Sequence, residues 1–398
     1  MILFSLLLGA AALVLLLPTL AEGVALLRRV RGLGRAPGHR PAELPRLLFL
    51  VPAHDEELLI SACVRSLRDL RYPLERVTAV VIADNCRDRT AALALEAGAA
   101  CMVRLDREHP GKPHAIAWAL ERLEWSAFDA VVIVDADTEV DPEFAAALAR
   151  YAPLKGKAAQ GYHMVLNAGE SALTRLGALL GEASHRFAYP AKQRAGLNTP
   201  LLGNGMVIGT DVLRAVGWRA YSICEDWEMY AVLTAAGVRI DGVPSARVAS
   251  QEARTLHQSA SQRRRWTAGK WTVLAQQFLP LLRSRRIGWE QKLDALAELS
   301  APGPVVHLGV ALVGSLVALA WPLPGGTLLA TLLVGSLLRH AAYTLAALRV
   351  DPDPLGTIRA LAFLPWYTIW RLGVAIASLT MVGDRPWVRT ARHATSRP

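Results

Sequence analysis

The 398-residue chain is almost purely apolar at its start and over most of its last hundred residues, and between these regions short apolar runs alternate with helix-period segments. The opening run from Ile2 to Leu17, extended to Leu27, is long enough to cross about 30 Å of hydrocarbon at about 1.5 Å per residue. It lacks a basic leader and is followed by Arg28, Arg29, Arg31 and Arg35, which predicts an uncleaved anchor with the basic linker on the cytoplasmic side. Val305 to Trp321 and Leu328 to Leu348, joined by the turn PLPGG, predict a transmembrane hairpin. A last apolar stretch, Ile358 to Val382, carries Arg359, Arg371, Trp366, Tyr367 and Trp370. A crossing there would place Arg385, Arg389, Arg392 and Arg397 outside, against the positive-inside tendency, so an interfacial or re-entrant helix is expected.

The middle predicts repeated βαβ units. RLLFLVPA at 46–53 is a continuous apolar run of the kind buried on both faces of a sheet. A helix follows with Leu59, Cys63, Leu67 and Leu70 on one face. Then come a strand at 77–83, a helix opened by Thr90, a strand near 101–103, a helix at 113–124 and a strand at 130–137. Asp141 and Pro142 suggest the N-cap and first position of another helix. Such units imply an α/β fold with a parallel sheet and a ligand site beyond the carboxyl ends of the strands. The loops at 54–56, 84–86 and 135–137 would then share one rim.

Composition sharpens the picture. Hydrophobic residues make up 53% and charged residues 20%, with a formal charge of +10 that suits an anionic substrate or lipid surface. Nucleic acid fits poorly, because the arginines form no single stripe and no aromatic ladder or zinc-ligand spacing accompanies them. Cys63, Cys86, Cys101 and Cys224 show no disulfide spacing and are expected to be reduced.

Several short motifs carry chemistry. In IVDADTEVDP (133–142), Asp135 and Asp137 sit just past a buried strand, where two carboxylates bind a divalent cation or merely cap a loop. Asp84, in IADNCRDRT, either caps the next helix or accepts hydrogen bonds from a base or ribose. Lys112, in HPGKPHA, is a surface lysine or a point charge for a diphosphate. Glu225 and Asp226 in CEDWEM complement a helix dipole, or Asp226 is a general base kept ionised by a metal and arginines. SQRRRW (261–266) is a basic patch at the bilayer, or a diphosphate clamp with Trp266 as a floor.

In this order and spacing, VPAHDEE, IADNCRDRT, GKPHA, VDADTEVDP, GNG, CED and QRRRW resemble the inverting family 2 glycosyltransferases of the GT-A type, and within them the membrane-bound branch with cellulose, hyaluronan and exopolysaccharide synthases. The resemblance covers about residues 46–272. It implies that Ala53, Glu56 and Asp84 contact the nucleoside, usually uridine, and Lys112 the donor diphosphate. Asp135 would approach the donor and, with Asp137, bind Mg²⁺ or Mn²⁺ as the DxD pair. Asp226, beside Glu225, would deprotonate the acceptor; Gln262, Arg265 and Trp266 match QxxRW, near diphosphate and acceptor; Gly203, Asn204 and Gly205 would form a tight loop near the acceptor. His54 and Asp55 depart from the family's usual Tyr and Asn, and Cys224 from its Thr.

The implied activity is transfer from a nucleotide sugar, most often a UDP-sugar, to a saccharide acceptor in exopolysaccharide or cell-surface polysaccharide synthesis at a bacterial inner membrane. Three or four helices are few for a polymer pore unless the protein forms a homo-oligomer, and transfer of one sugar to a lipid carrier or glycolipid is the alternative. An inactive nucleotide-binding scaffold is at odds with every acidic position being filled. A transporter is disfavoured because the apolar segments show no paired intramembrane acids. The expected division is an anchor at 1–27, a basic linker at 28–45, a GT-A domain at 46–285, an interfacial helix at 286–302, a hairpin at 303–348 and a helix with a basic tail at 355–398.

Overall fold

A computed structural model describes residues 1–29, 43–378 and 380. Most of the basic linker and the basic tail lie outside the described residues. The chain forms two compact units, each assembled from separate stretches: a sheet unit from residues 43–167 and 198–252, and a helical unit from 1–29, 168–197 and 253–380. Residues 168–197 and 253–285, contiguous with the sheet region in sequence, therefore cluster with the helices.

The sheet unit is built on eight strands among the described residues: β1 (Leu47–Ala53), β2 (Val77–Asp84), β3 (Ala100–Arg104), β4 (Ala130–Ile133), β5 (Thr138–Val140), β6 (Ala158–Val165), β7 (Met206–Gly209) and β8 (Ile240–Ser250). Their order is β3-β2-β1-β4-β7-β6-β8-β5. β1 pairs in parallel with β2 and β4, β2 with β3, and β6 with β8, whereas β4–β7, β6–β7 and β5–β8 are antiparallel. The chain order reverses between β1 and β4, so the crevice beyond their carboxyl ends is the switch point where such sheets take ligands.

Burial explains why these segments became strands. Leu47, Phe49 and Val51 on β1 are fully buried and share one core with Ile60, Val64 and Leu67 of helix Ile60–Arg68 and with Phe144, whose ring lies 6.0 Å from that of Phe49. The expected strand at 130–137 is shorter: β4 ends at Ile133, the chain turns through the acidic pair with Thr138 N–H donating to the Asp135 carbonyl (3.1 Å), and β5 starts anew. The regular part of the following helix begins at Phe144, after a turn in which Asp141 makes the expected cap contact: its Oδ1 accepts the Glu143 N–H (2.8 Å) and its carbonyl the Phe144 N–H (2.9 Å).

In the helical unit, Ile2–Val24 and Gly326–Arg349 are each long and apolar enough to cross a membrane. Two further spans are possible if bent pairs count as one: Trp289–Ser300 with Pro304–Ala320, bent by 83°, and Pro354–Leu361 with Leu364–Ser378, bent by 55°. The expectation of no paired intramembrane acids is corrected here. Glu22 of the first span accepts hydrogen bonds from Arg339 (2.5 Å) and Tyr343, and buried Lys192 meets Asp294 (2.9 Å) and Glu298 (2.7 Å). Charges buried this way persist only when paired, and these pairs tie segments remote in sequence together.

Candidate active site

Asp84 closes β2 and is buried at 4% exposure. Its Oδ1 takes Arg104 Nη1 (2.6 Å) and Asn85 Nδ2 (3.0 Å), and its Oδ2 takes the Gly111 N–H (3.1 Å). Three of roughly four lone-pair positions are thus already filled by the protein. Asp84 anchors the loop that delivers Lys112, and Arg104, itself 3% exposed, is the counter-charge that lets a carboxylate stay at the strand end. Sequence reasoning missed Arg104; its place at the end of β3, level with Asp84 in the parallel register, is the signal that could have found it.

Lys112 opens helix Lys112–Leu120, and its ammonium is shared among Asp135 Oδ1 (2.6 Å), Glu225 Oε1 (3.0 Å) and the Gly203 carbonyl (2.9 Å). These contacts use all three of its donors, so a diphosphate reaching Lys112 has to replace one of them. Burial opposes the charge, yet Asp135 and Glu225 together outweigh it and hold the ammonium above its ordinary range.

Gly203 lies at the centre of this group with φ +74°. A Cβ there would sit 3.2 Å from Lys112 Nζ, 3.3 Å from Asp226 Oδ2 and 3.4 Å from Glu225 Oε1, so a side chain would be strained by the left-handed backbone and would displace these charged groups by a few tenths of an ångström. Glu225 and Asp226 form the first turn of helix Glu225–Ala235. The third acid of that turn, Glu228, instead accepts the N–H groups of Tyr221 (2.9 Å) and Ser222 (2.7 Å) and so fixes the approach to Glu225. In the protein alone, the charged neighbours of Asp226 among the described residues are Lys112, Glu225 and Asp135, and no arginine acts on it. Burial and the adjacent Glu225 push its carboxyl up to about 7, against the pull of Lys112 and of the Trp227 N–H at 2.8 Å.

Asn204 and Gly205 hold structure more than they face the charges. Asn204 is buried, donates through Nδ2 to Thr138 Oγ1 (2.7 Å) and accepts the Asp135 N–H at Oδ1 (3.3 Å), bracing the turn between β4 and β5. Gly205 donates to the Ile133 carbonyl (2.9 Å), and a Cβ on it would meet Val248 at 3.2 Å. Asp137 lines a small cavity with Leu59, Cys63, Thr138, Glu139, Leu166 and Gln251.

Ala53 ends β1, and its carbonyl accepts the Cys86 thiol (3.4 Å). The Glu56 N–H donates to Thr90 Oγ1 (2.7 Å), and His54 Nδ1 contacts the Asp84 carbonyl (2.7 Å). The loops at 54–57 and 85–90 are interlocked by the Arg87 N–H on Asp55 (2.7 Å) and the Glu57 N–H on Asp88 (3.0 Å). Asp55, Cys86 and Asp88 consequently place ligand atoms within 4.8 Å of one another, but turn and cap hydrogen bonds already account for that cluster. Gln262, Arg265 and Trp266 lie on helix Leu256–Arg283 of the helical unit, where the Arg263 guanidinium stands 5.0 Å from the Trp266 ring. All four cysteines are free thiols.

A mixed sheet whose switch crevice gathers a lysine and four carboxylates from its strand-end loops and helix starts is the framework of a sugar-transferring enzyme of the GT-A type. The chain belongs to glycosyltransferase family 2: the family described as "Glycosyltransferase like family 2" matches residues 45–269. It is similar to the probable glycosyltransferase YdaM of Bacillus subtilis, 28% identical over 255 residues that cover 62% of this chain and 60% of that protein. It is also similar to the beta-monoglucosyldiacylglycerol synthase of Synechocystis sp., 27% identical over 262 residues covering 63% of this chain and 53% of that protein. The match therefore spans under two thirds of either relative's length. Among solved structures, the mannosyltransferase PcManGT of Pyrobaculum calidifontis, in complex with GDP-Man and Mn²⁺, shares the fold with a TM-score of 0.58, 20% identity, and coverage of 94% of this chain and 98% of that one.

Proposed function

We propose that this glycosyltransferase moves a sugar, with inversion, from a nucleoside-diphosphate donor to an acceptor hydroxyl held at a membrane. The observation that supports this most is the three-way contact of Lys112 with Asp135, Glu225 and the Gly203 carbonyl, which brings the DxD loop and the acidic helix start to one point. In the proposed step the acceptor oxygen attacks the anomeric carbon opposite the leaving group. The new glycosidic C–O bond forms as the bond to the diphosphate oxygen breaks, and the acceptor proton passes to Asp226. A carboxylate whose pKa is raised to about 7 is matched to taking a proton near neutral pH. Glu225 positions Lys112, and Lys112 presents positive charge toward the departing diphosphate.

The donor set suits Mg²⁺ or Mn²⁺: Asp135 and Asp137 offer hard carboxylate oxygens, and Asp135 Oδ2 carries no hydrogen bond among the described residues while Oδ1 holds Lys112. When bound there, the cation would supply charge neutralisation for the diphosphate. On the nucleoside side the proposal assigns contacts to Ala53 at the end of β1, Glu56 in the following loop and Asp84 at the end of β2. The acceptor is a saccharide of a cell-surface polysaccharide; a second reading, one sugar placed on a lipid, is supported by the similarity to the glucosyldiacylglycerol synthase. Membranes containing the full chain, incubated with a panel of labelled nucleotide sugars, test both. A ladder of long products supports the first, single-sugar lipids support the second, and no transfer from any donor refutes the proposal.

A further inference from the structure

Helix Leu364–Ser378 buries an arginine that the transfer chemistry does not use. Arg371 is 8% exposed; among the described residues its Nη1 has no hydrogen-bond partner, and the charged and ionisable groups acting on it are Arg263 and Tyr367, with no carboxylate. One helical turn away, on the same face, Thr368 is 7% exposed and its Oγ1 likewise has no partner among the described residues. A buried guanidinium beside a second guanidinium, with an idle hydroxyl next to it, is strongly unfavourable unless an anion completes it.

The backbone around Arg371 points the same way. The 17-residue helix Pro304–Ala320 starts at Gly303, which brings no side-chain cap, and a Cβ on Gly303 would lie 3.8 Å from Arg371 Nη2. The first N–H groups of that helix lack intrahelical acceptors, and its N-terminus carries the positive end of the dipole. Farther along, Gly309 lets the two helices touch, since a Cβ there would meet Thr368 Cγ2 and Leu372 Cδ1, each at 2.8 Å. Lys270 donates to the Ala301 carbonyl (2.8 Å) in the bend just before Gly303. That bend, 83° between Trp289–Ser300 and Pro304–Ala320, joins an amphipathic helix to a strongly apolar one. On the helix of Arg371, Trp366 (61% exposed) and Ile369 (64%) present apolar surface, with Trp370 nearby, an interfacial aromatic pattern.

We propose that Arg371, Thr368 and the first turn of helix Pro304–Ala320, with Arg263 alongside, bind the phosphate of an anionic membrane lipid. The inference is independent of the transfer chemistry. The exposed tryptophan and the apolar helices beside it favour a lipid phosphate over free phosphate.

Native mass spectrometry of the full chain in a neutral detergent, titrated with dihexanoyl phosphatidic acid, dihexanoylglycerol or inorganic phosphate, tests it. The expected result is retention of phosphatidic acid but not of dihexanoylglycerol, weakened about tenfold or more in Arg371→Met through loss of a charge-assisted contact. Arg359→Met, at an exposed arginine of the preceding helix, should bind like wild type. Equal retention by Arg371→Met, equal retention of dihexanoylglycerol, or binding of inorganic phosphate as tight as that of phosphatidic acid would each overturn the proposal. Removing an uncompensated buried charge should leave the melting temperature unchanged or higher. Should Arg371→Met fail to fold, Thr368→Val, which deletes only the hydroxyl, takes its place: weaker phosphatidic acid binding supports the site, and unchanged binding overturns it.

Discussion

Lys112 and Glu225, on the first turns of two different helices, meet at 3.0 Å over the Gly203 carbonyl. Each helix start comes after a loop tied elsewhere, Gly111 to Asp84 and residues 221–222 to Glu228, so the contact is set by the framework and not by two flexible side chains finding each other. Consequences for activity and stability can be stated for the residues around it.

Lys112→Met removes the positive charge shared by Asp135 and Glu225. Turnover is expected to fall by about 10²–10³-fold, the loss typical of one preorganised electrostatic contact. Because Lys112 also pulls the Asp226 pKa down, the ascending limb of the pH–rate profile should move to higher pH. An unchanged limb in the residual activity would contradict the placement of Lys112 near the base.

Asp226→Asn should lower transfer by about 10²–10⁴-fold while leaving donor binding intact, as measured by single-turnover kinetics and nucleotide titration. Its effect on stability has the opposite sign. The folded carboxyl, near 7, keeps a proton that the unfolded chain releases near 3.8, so native stability declines as pH rises through that interval. The asparagine variant should therefore melt above wild type at pH 8, with the gap closing toward pH 4.

Gly203→Ala and Gly205→Ala both force a side chain into left-handed backbone, a penalty of about 1–2 kcal/mol. At Gly203 the new methyl also meets Lys112, Asp226 and Glu225, so activity should vanish in a protein that still melts cooperatively. At Gly205 it meets Val248 in the core, so the main effect should be a lower melting temperature. Equal activity loss with equal stability loss in the two variants would argue against the central position of Gly203.

Arg104→Met strands Asp84 in a buried site, and breaking such a pair destabilises by about 3–5 kcal/mol. Adding Asp84→Asn should recover part of that in a double-mutant cycle followed by thermal denaturation. Additive losses would mean the two groups are not coupled.

Chelation should abolish transfer, with Mg²⁺ or Mn²⁺ restoring it in wild type and not in Asp137→Ala. Full transfer in excess chelator would show that the Asp135–Asp137 pair holds no required cation.

The strands and helices from Arg46 to Leu120 were legible chiefly because β1 is an uninterrupted buried run and the helix after it keeps its apolar residues on one face. The failures have local causes. VVIVDAD reads as one strand by hydrophobicity, but Asn204, far along the chain, reaches back to Asp135 and Thr138 and turns it. Strands β6, β7 and β8, part of them antiparallel, escaped notice because only their pairing with one another and with β4 reveals them. Asp55, Asp84 and Asp88 are indistinguishable from site residues by type, yet their oxygens go largely to backbone N–H groups and to Arg104.

By itself the sequence determined the apolar spans, the α/β alternation and the order of acidic motifs, since these follow from periodicity and residue type along a local stretch. Tertiary structure alone decided who neutralises whom: that Lys112 is held by two carboxylates, that burial raises the pKa of Asp226, that Glu22 meets Arg339, and that Arg371 is buried without an acid among the described residues. Charge pairing depends on distance and burial through space, and neither quantity is written in the spacing of residues along the chain.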